Sequence, residues 1–278
     1  MTPWGRIKKV LFNVFAWGMV LSVVFPLFWI ISTSIKPQSE LFVRPPTLLP
    51  GEFTLEHYAR LLFDTPFPTY FMNSAIVAFG TTASVIVVAT LGAYSLVRFR
   101  YRGREIGAKL VLFTYLLPPV ILILPLYIMF GWLGIVDSLL SLVMAYTTFA
   151  LPFALWLLRS FMAGIPPDLE SAALMDGASR MRAFYDVILP QLLPGIISTA
   201  LFTFILAWNE YLYALVLINK DSSMTLPPGV INMLTSAYDV EWSLLMAASV
   251  MMSAPVIIFF AFLQKHLTRG FGAGAVKG

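Results

Sequence analysis

The sequence predicts an all-α membrane protein with six transmembrane helices and both termini in the cytoplasm. Three observations carry this. Of 278 residues, 59% are hydrophobic and only 12% charged, and the mean hydropathy is +0.84. A soluble domain carries about a quarter charged residues. Apolar runs of about twenty residues recur, the length of a spanning helix; a barrel would alternate in segments of about ten. Finally, lysine and arginine are unevenly distributed between the loops, which orients the spans.

The spans fall at roughly 10–35, 70–97, 109–131, 138–161, 194–219 and 242–265. The first follows Arg6, Lys8 and Lys9. It is longer than the roughly 7–15 residues of a signal-peptide core and has no small-residue cleavage site behind it. It therefore reads as an uncleaved span. Residues 36–69 form a long proline-rich connection, 98–108 a short basic one and 132–137 a tight turn. Residues 162–193 are a polar island, 220–241 a medium loop and 266–278 a glycine-rich tail. This divides the chain into 1–69 (first span and long outer loop), 70–265 (five-span core) and 266–278 (cytoplasmic tail).

Fourteen of the eighteen basic residues lie at the N-terminus, in 98–109, in 159–182 and at the C-terminal end. That side is cytoplasmic by the positive-inside rule. The other face carries Lys36, Arg44, Arg60 and Lys220 against eight acidic residues. The net charge of +4 is thus a topology signal and not a nucleic-acid footprint. With no cysteine, thiolate chemistry is excluded, and the two histidines, His57 and His266 in separate loops, argue against a histidine-based catalytic or metal cluster.

Several spans are not plain rods. Pro118, Pro119 and Pro125 fall in the third, Pro152 in the fourth and Pro255 in the sixth. Each frees a backbone carbonyl that a neighbour or water must satisfy. The second is rich in small residues, Ser74, Gly80, Thr81, Thr82, Ser84 and Gly92, which permit close packing. The fifth carries Asn209 and Glu210 in AWNEYLYAL. A carboxylate at mid-bilayer costs about 2.5–3.5 kcal/mol and must face protein or water. Two readings stand: a polar contact inside the bundle, or a lining or gate of a pathway together with Tyr213.

The polar island begins IPPDLESAALMDGAS. Pro166 and Pro167 suit a first helical turn, Asp168 and Glu170 favour its positive N-terminus, and Gly177 ends the helix. A second helix is expected over Ser179–Ile188, with Pro190 and Pro194 breaking the chain before the next span. The bland alternative is an ordinary cytoplasmic loop.

Glu170-Ser-Ala-Ala, then Asp176-Gly177, then Ile188-Leu189-Pro190, resembles the EAA motif of ABC importer permeases. Its place before the penultimate span makes the resemblance specific. PPVILILPLYIMFGWLGIVDS, FALPFALWLLRSFMAGIPPDLESAALMDGAS, AWNEYLYAL and the terminal Gly274-Ala275-Val276-Lys277-Gly278 are similar to the carbohydrate branch, in particular the second, shorter permease of maltose-type importers. Ser171 replaces the commoner alanine, and Gly270-Phe271-Gly272 replaces the usual Gly-Leu-Thr.

The resemblance implies an importer-type ABC permease fold in the inner (cytoplasmic) membrane. It implies an alternating-access mechanism for a sugar or glycoside such as maltodextrin or trehalose. Its partners would be a second homologous permease, a cytoplasmic ABC ATPase dimer, an extracytoplasmic sugar-binding protein and membrane lipid. This chain has no GxxxxGK[ST], so it is not the ATPase; ATP and magnesium would sit on the partner, and no cofactor on this chain. An intramembrane enzyme is disfavoured because the chain lacks a histidine cluster, a cysteine and paired intramembrane carboxylates. By the same resemblance Glu170, Ser171, Ala172, Ala173, Asp176 and Gly177 contact the ATPase. Residues 274–278 reach the ATPase dimer interface, and Pro228 and Gly229 of the Pro227-Pro228-Gly229 turn, with Asn232 beyond it, meet the binding protein. The competing class is an ion-gradient-driven secondary transporter titrating Glu210. It has few spans and no visible repeat. Glu170→Ala or a bulky residue at Gly177 is expected to leave the chain folded and weaken ATPase docking, read by co-purification.

Overall fold

The computed structural model describes residues 3–234 and 241–272, with the side chains of 3, 5–8, 10 and 263–272 left aside. Contacts divide the chain into two compact units, Met1–Pro68 with Val230–Ala254 and Thr69–Gly229 with Pro255–Gly278. Among the described residues five helices are long and apolar enough to cross a membrane: Leu11–Ser34, Phe67–Arg98, Leu139–Ala163, Arg180–Trp208 and Trp242–Phe262. A bent pair makes a sixth if it is counted as one.

In the first unit, α1 (Pro3–Ser34) carries an apolar span from Leu11 to Ser34, and none of its spanning window is buried by the chain itself. Its end is tied to the loop that follows. Ser32 Oγ donates to Leu48 O at 2.6 Å, Ser34 Oγ shares a proton with Tyr58 Oη at 2.7 Å, and Lys36 Nζ donates to Thr47 O. The proline-rich connection therefore has fixed structure, including α2 (Glu56–Phe63). The Glu40 carboxylate accepts from Gly51 N and Glu52 N, both at 2.9 Å.

In the second unit, α3 (Phe67–Arg98) is one unbroken rod of 32 residues. Its Thr81 and Ser74 are buried, as the small-residue pattern requires. The expected continuous third span is corrected. Helix α4 (Arg104–Tyr115) and the stretch Pro119–Trp132, containing a 3-10 turn and α5 (Ile123–Trp132), meet at 98°. Two consecutive prolines remove two donors and clash with the preceding turn, so the chain turns instead of continuing. Helix α6 (Leu139–Ala163) starts at Ser138, whose side chain caps Ser141 N.

The polar island forms α7 (Pro167–Met175) and α8 (Arg180–Ala183). The expected stop at Pro190 and Pro194 does not occur. Helix α8 runs through a π turn, Phe184–Ile188, straight into α9 (Leu189–Trp208). A π turn shifts the hydrogen-bond register just where Pro190 lacks its donor, so that proline falls at a first helical turn. The fifth span also ends early. Asn209–Tyr211 interrupts it before α10 (Leu212–Leu217). Beyond lie α11 (Leu226–Leu234) and α12 (Trp242–Gly272). One buried cluster joins α3, α4, α6 and the π turn through Ala93, Tyr94, Ala108, Leu158, Phe184 and Ile188.

The two amide bonds hold the exposed Glu40 carboxyl below its ordinary value of 4.5. A depressed carboxyl stabilises above its unfolded value and loses that contribution as pH falls through its lower folded value. Protection of the Gly51 and Glu52 amides, taken relative to the intrinsic exchange rate at each pH, should therefore be present at neutral pH and be lost only below pH 4.5. In Glu40→Gln the protection should be absent at both; wild-type protection that does not change with pH would count against the clasp.

Candidate functional site

The polar island is built around a buried ion pair. Pro166 is extended (φ −57°, ψ 130°), and Pro167 opens α7. This sets Glu170 on the inward face. Its Oε2 lies 2.9 Å from Arg98 Nε, and Tyr94 Oη donates to its Oε1 at 2.6 Å. The same guanidinium donates through Nη2 to Ile165 O at 2.9 Å. Arg98 thus grips both the entry to α7 and its centre. The Tyr94 ring packs on Phe184 (4.8 Å) and Phe99 (5.5 Å). The pair is only about a tenth exposed, 9% and 11% for the two side chains.

Helix α7 closes in a Schellman arrangement. Gly177 N donates to Leu174 O at 3.1 Å, and Ala178 N to Ala173 O at 3.0 Å. Gly177 sits at φ +86°, a conformation costly for any residue with a Cβ. A side chain there would meet nothing within 4 Å, so only the backbone demands glycine.

Of the residues singled out from sequence, Ser171, Ala172, Asp176 and Gly177 are exposed, Ala173 is half-buried and Glu170 is buried. Glu170 thus gives its carboxylate to Arg98 and Tyr94 within the chain, so its neighbours are the surface a partner can meet. Sequence reasoning missed Met175, which is 88% exposed at the helix tip. It also counted Arg98 only as an orienting charge and passed over Tyr94. Their i, i+4 spacing at the end of a span was the available signal.

The second constellation surrounds the break in the fifth span. Asn209 is exposed, and its Nδ2 bonds back to Ile205 O at 2.8 Å. Glu210 caps α10: Oε1 accepts from Tyr213 N at 2.9 Å and Oε2 from Ala214 N at 3.2 Å. A negative group at a helix N-terminus is favourable there. Tyr213 Oη donates to Pro119 O at 2.6 Å. The carbonyl beside the broken third span is thereby satisfied by the broken fifth. Tyr213 also packs against Phe149 at 5.1 Å. Alongside is a cavity of about 520 Å³ lined by Tyr115, Pro119, Leu122, Thr148, Phe149 and Leu206 among others. It is apolar and aromatic, with threonine hydroxyls at its wall.

The expected Pro-Pro-Gly turn is instead the start of α11. Pro228 and Gly229 are buried, and a Cβ on Gly229 would lie 2.4 Å from the Tyr70 ring. These two positions are corrected from surface contact to packing; Asn232 remains exposed. Residues 274–278 lie outside the described residues. Among the described residues no group of three potential metal ligands occurs.

Residues 86–272 match the family of binding-protein-dependent transport system inner membrane components. The chain belongs to this family. It is 35% identical over 277 residues to an inner membrane ABC transporter permease protein of Escherichia coli, covering 98% of this chain and 99% of that one. The diacetylchitobiose uptake system permease of Streptomyces coelicolor is 35% identical, with 96% of each chain covered. The trehalose/maltose transport system permease of Thermococcus litoralis is 34% identical, with 98% of each covered. In fold it matches a chain of a bacterial ABC transporter importing the acidic polysaccharide alginate. The TM-score is 0.85 at 23% identity, over 95% of this chain and 98% of that chain. The protein is therefore an ABC transporter permease, a transport subunit and not an enzyme. The secondary-transporter alternative finds no support in these relatives.

Breaking a buried pair by removing one partner costs about 3–5 kcal/mol, whereas replacing all partners by apolar groups can be neutral. Glu170→Ala should therefore destabilise the chain as well as affect docking, unlike the outcome expected from sequence. Glu170→Leu alone should lower thermal stability in detergent by an amount of that order. Combined with Arg98→Met and Tyr94→Phe it should recover most of the loss. A triple variant as unstable as the sum of the singles would argue against this geometry.

Proposed function

We propose that this chain is the membrane-spanning subunit of an ATP-driven, binding-protein-dependent importer of a sugar or glycoside. The observation that carries the reading is α7: a short helix whose acid is anchored inward and whose small residues and Met175 face outward. Such a helix fits a groove on a partner ATPase. It stands in the segment that charge asymmetry assigns to the cytoplasm, with both termini on that side and the bent pair counted as one of six spans. ATP and magnesium bind the ATPase dimer. Its closure moves α7 and with it the spans, alternating access between the two sides. Residues 274–278 belong to the same interface in this reading.

A second homologous permease completes the pathway. The break at Asn209–Tyr211, Glu210 and Tyr213 line or gate it, beside the aromatic cavity. Aromatic faces and hydroxyls are the usual means of holding sugars. Glu210 serves as a helix cap there, not as a proton carrier. The sugar assignment rests on relatives named for trehalose, maltose and diacetylchitobiose. A soluble sugar-binding protein docks on the outer face, at Asn232 and the exposed part of 220–234.

In proteoliposomes, uptake of maltodextrin or trehalose should require the ATPase subunit and ATP and should survive ionophores. Gradient-driven uptake by this chain alone would overturn the reading. Ala172→Trp should leave thermal stability unchanged within about 0.5 kcal/mol, as exposed substitutions do, yet reduce ATPase co-purification several-fold. Full retention of the ATPase would remove α7 from the interface.

A further inference from the structure

Helix α3 is fastened by buried polar contacts at both ends, and it differs from the other spans in its backbone. Prolines lie inside α1, α6, α9 and α12 at Pro26, Pro152, Pro194 and Pro255, and the third span is broken at Pro118–Pro119. The only proline of α3 is Pro68, in its first turn. Internal prolines are the commonest cause of kinks. With none beyond that turn, α3 is a rod of about 48 Å at 1.5 Å per residue over its 32 residues.

At one end, Arg98 and Tyr94 hold Glu170 and Ile165 through three contacts of 2.6–2.9 Å. At the other, Tyr70 Oη donates to Asp221 Oδ1 at 2.9 Å. Asn73 Nδ2 donates to Ser222 O at 2.9 Å and Met224 O at 2.8 Å, and Ser74 Oγ accepts from Leu226 N at 2.8 Å. Tyr70, Asn73 and Ser74 are buried. The segment they hold, 221–226, leads directly into α11, whose Gly229 packs on the Tyr70 ring. Bonds of this kind are expensive to leave unmade, so each clasped segment moves with the rod.

We propose that α3 is the strut that transmits displacement between α7 and the 221–229 segment on the opposite face, with Arg98 and Tyr94 as positioning residues at one end and Tyr70 and Asn73 at the other. This rests on the reading that α7 docks the ATPase and the opposite loop meets the binding protein. It goes further by naming the element that joins them. Energetic coupling between two sites is reciprocal, so an event at the binding-protein face must bias α7 through the same contacts. A rigid element held at both ends gives a contiguous physical path, and the change of state it must carry is what the experiment reads.

The test uses the full permease–ATPase complex in nanodiscs, with and without Mg-ATP and vanadate. Amide exchange is followed at 221–229 and normalised to trapped nucleotide. In the wild type, trapping should change exchange at 221–229 several-fold. Arg98→Ala should abolish at least four-fifths of that change, and Arg98→Lys should restore part of it. Tyr94→Phe, which removes a single hydroxyl, gives the same comparison should Arg98→Ala fail to assemble. A Tyr70→Phe/Asn73→Leu variant should abolish the same response, and adding it to the Arg98 variant should have no further effect. Undiminished response per trapped nucleotide in the near-end variants, or additive losses, would overturn the strut alone. A wild-type complex that traps no nucleotide would overturn the importer reading and the strut with it.

Discussion

The Glu170–Arg98–Tyr94 contact is the constraint on which the arrangement of the polar island depends. An unpaired carboxylate and guanidinium could not be buried at a span's end without a penalty of several kcal/mol each. Together, with a tyrosine hydroxyl and a backbone carbonyl taking the remaining valences, they can be. Their pairing dictates which face of α7 turns inward. It thereby decides that Ser171, Ala172, Asp176 and Gly177 turn outward. A motif that reads as a string of contact residues separates into an anchor and a surface.

The same economy of polar groups governs the breaks in the third and fifth spans. In the bilayer no water takes up a backbone carbonyl left by a proline. The third and fifth spans are both interrupted, and the fifth supplies partners for both breaks: Tyr213 Oη donates to Pro119 O, and the α10 amides donate to the Glu210 carboxylate. Irregular backbone is tolerated here because it is packed against protein and borders a cavity. In such a site a half-buried acid is as well explained by a helix end as by a proton relay.

Much of this was legible from the chain. The apolar runs located five spans. The helix at Pro167–Met175, with its proline start and glycine stop, follows from local signals of only a few residues. Where expectation failed, the causes were a local register shift and distant packing. Pro190 and Pro194 look like helix breakers, but a π turn ahead of Pro190 shifts the register at its missing donor, and Pro194 lies inside α9 without ending it. Pro227-Pro228-Gly229 looks like a surface turn, but Tyr70 packs where a Gly229 side chain would stand, and the triplet starts a helix. Arg98 looked like one charge among several because nothing in its own neighbourhood names a partner 67 or 72 residues away.

By itself the sequence determined the apolar character, the helical class, the location of most long apolar helices and the family, because these depend on composition, period and motif, which are properties of short stretches of chain. The tertiary structure alone decided which way each polar side chain turns and what satisfies it. That is a question of pairing across long separations, and burial makes an unmade pair costly enough to select one answer. Glu170 shows the division: its identity marked the motif, and only its contact with Arg98 and Tyr94 showed that it holds α7 in place from within.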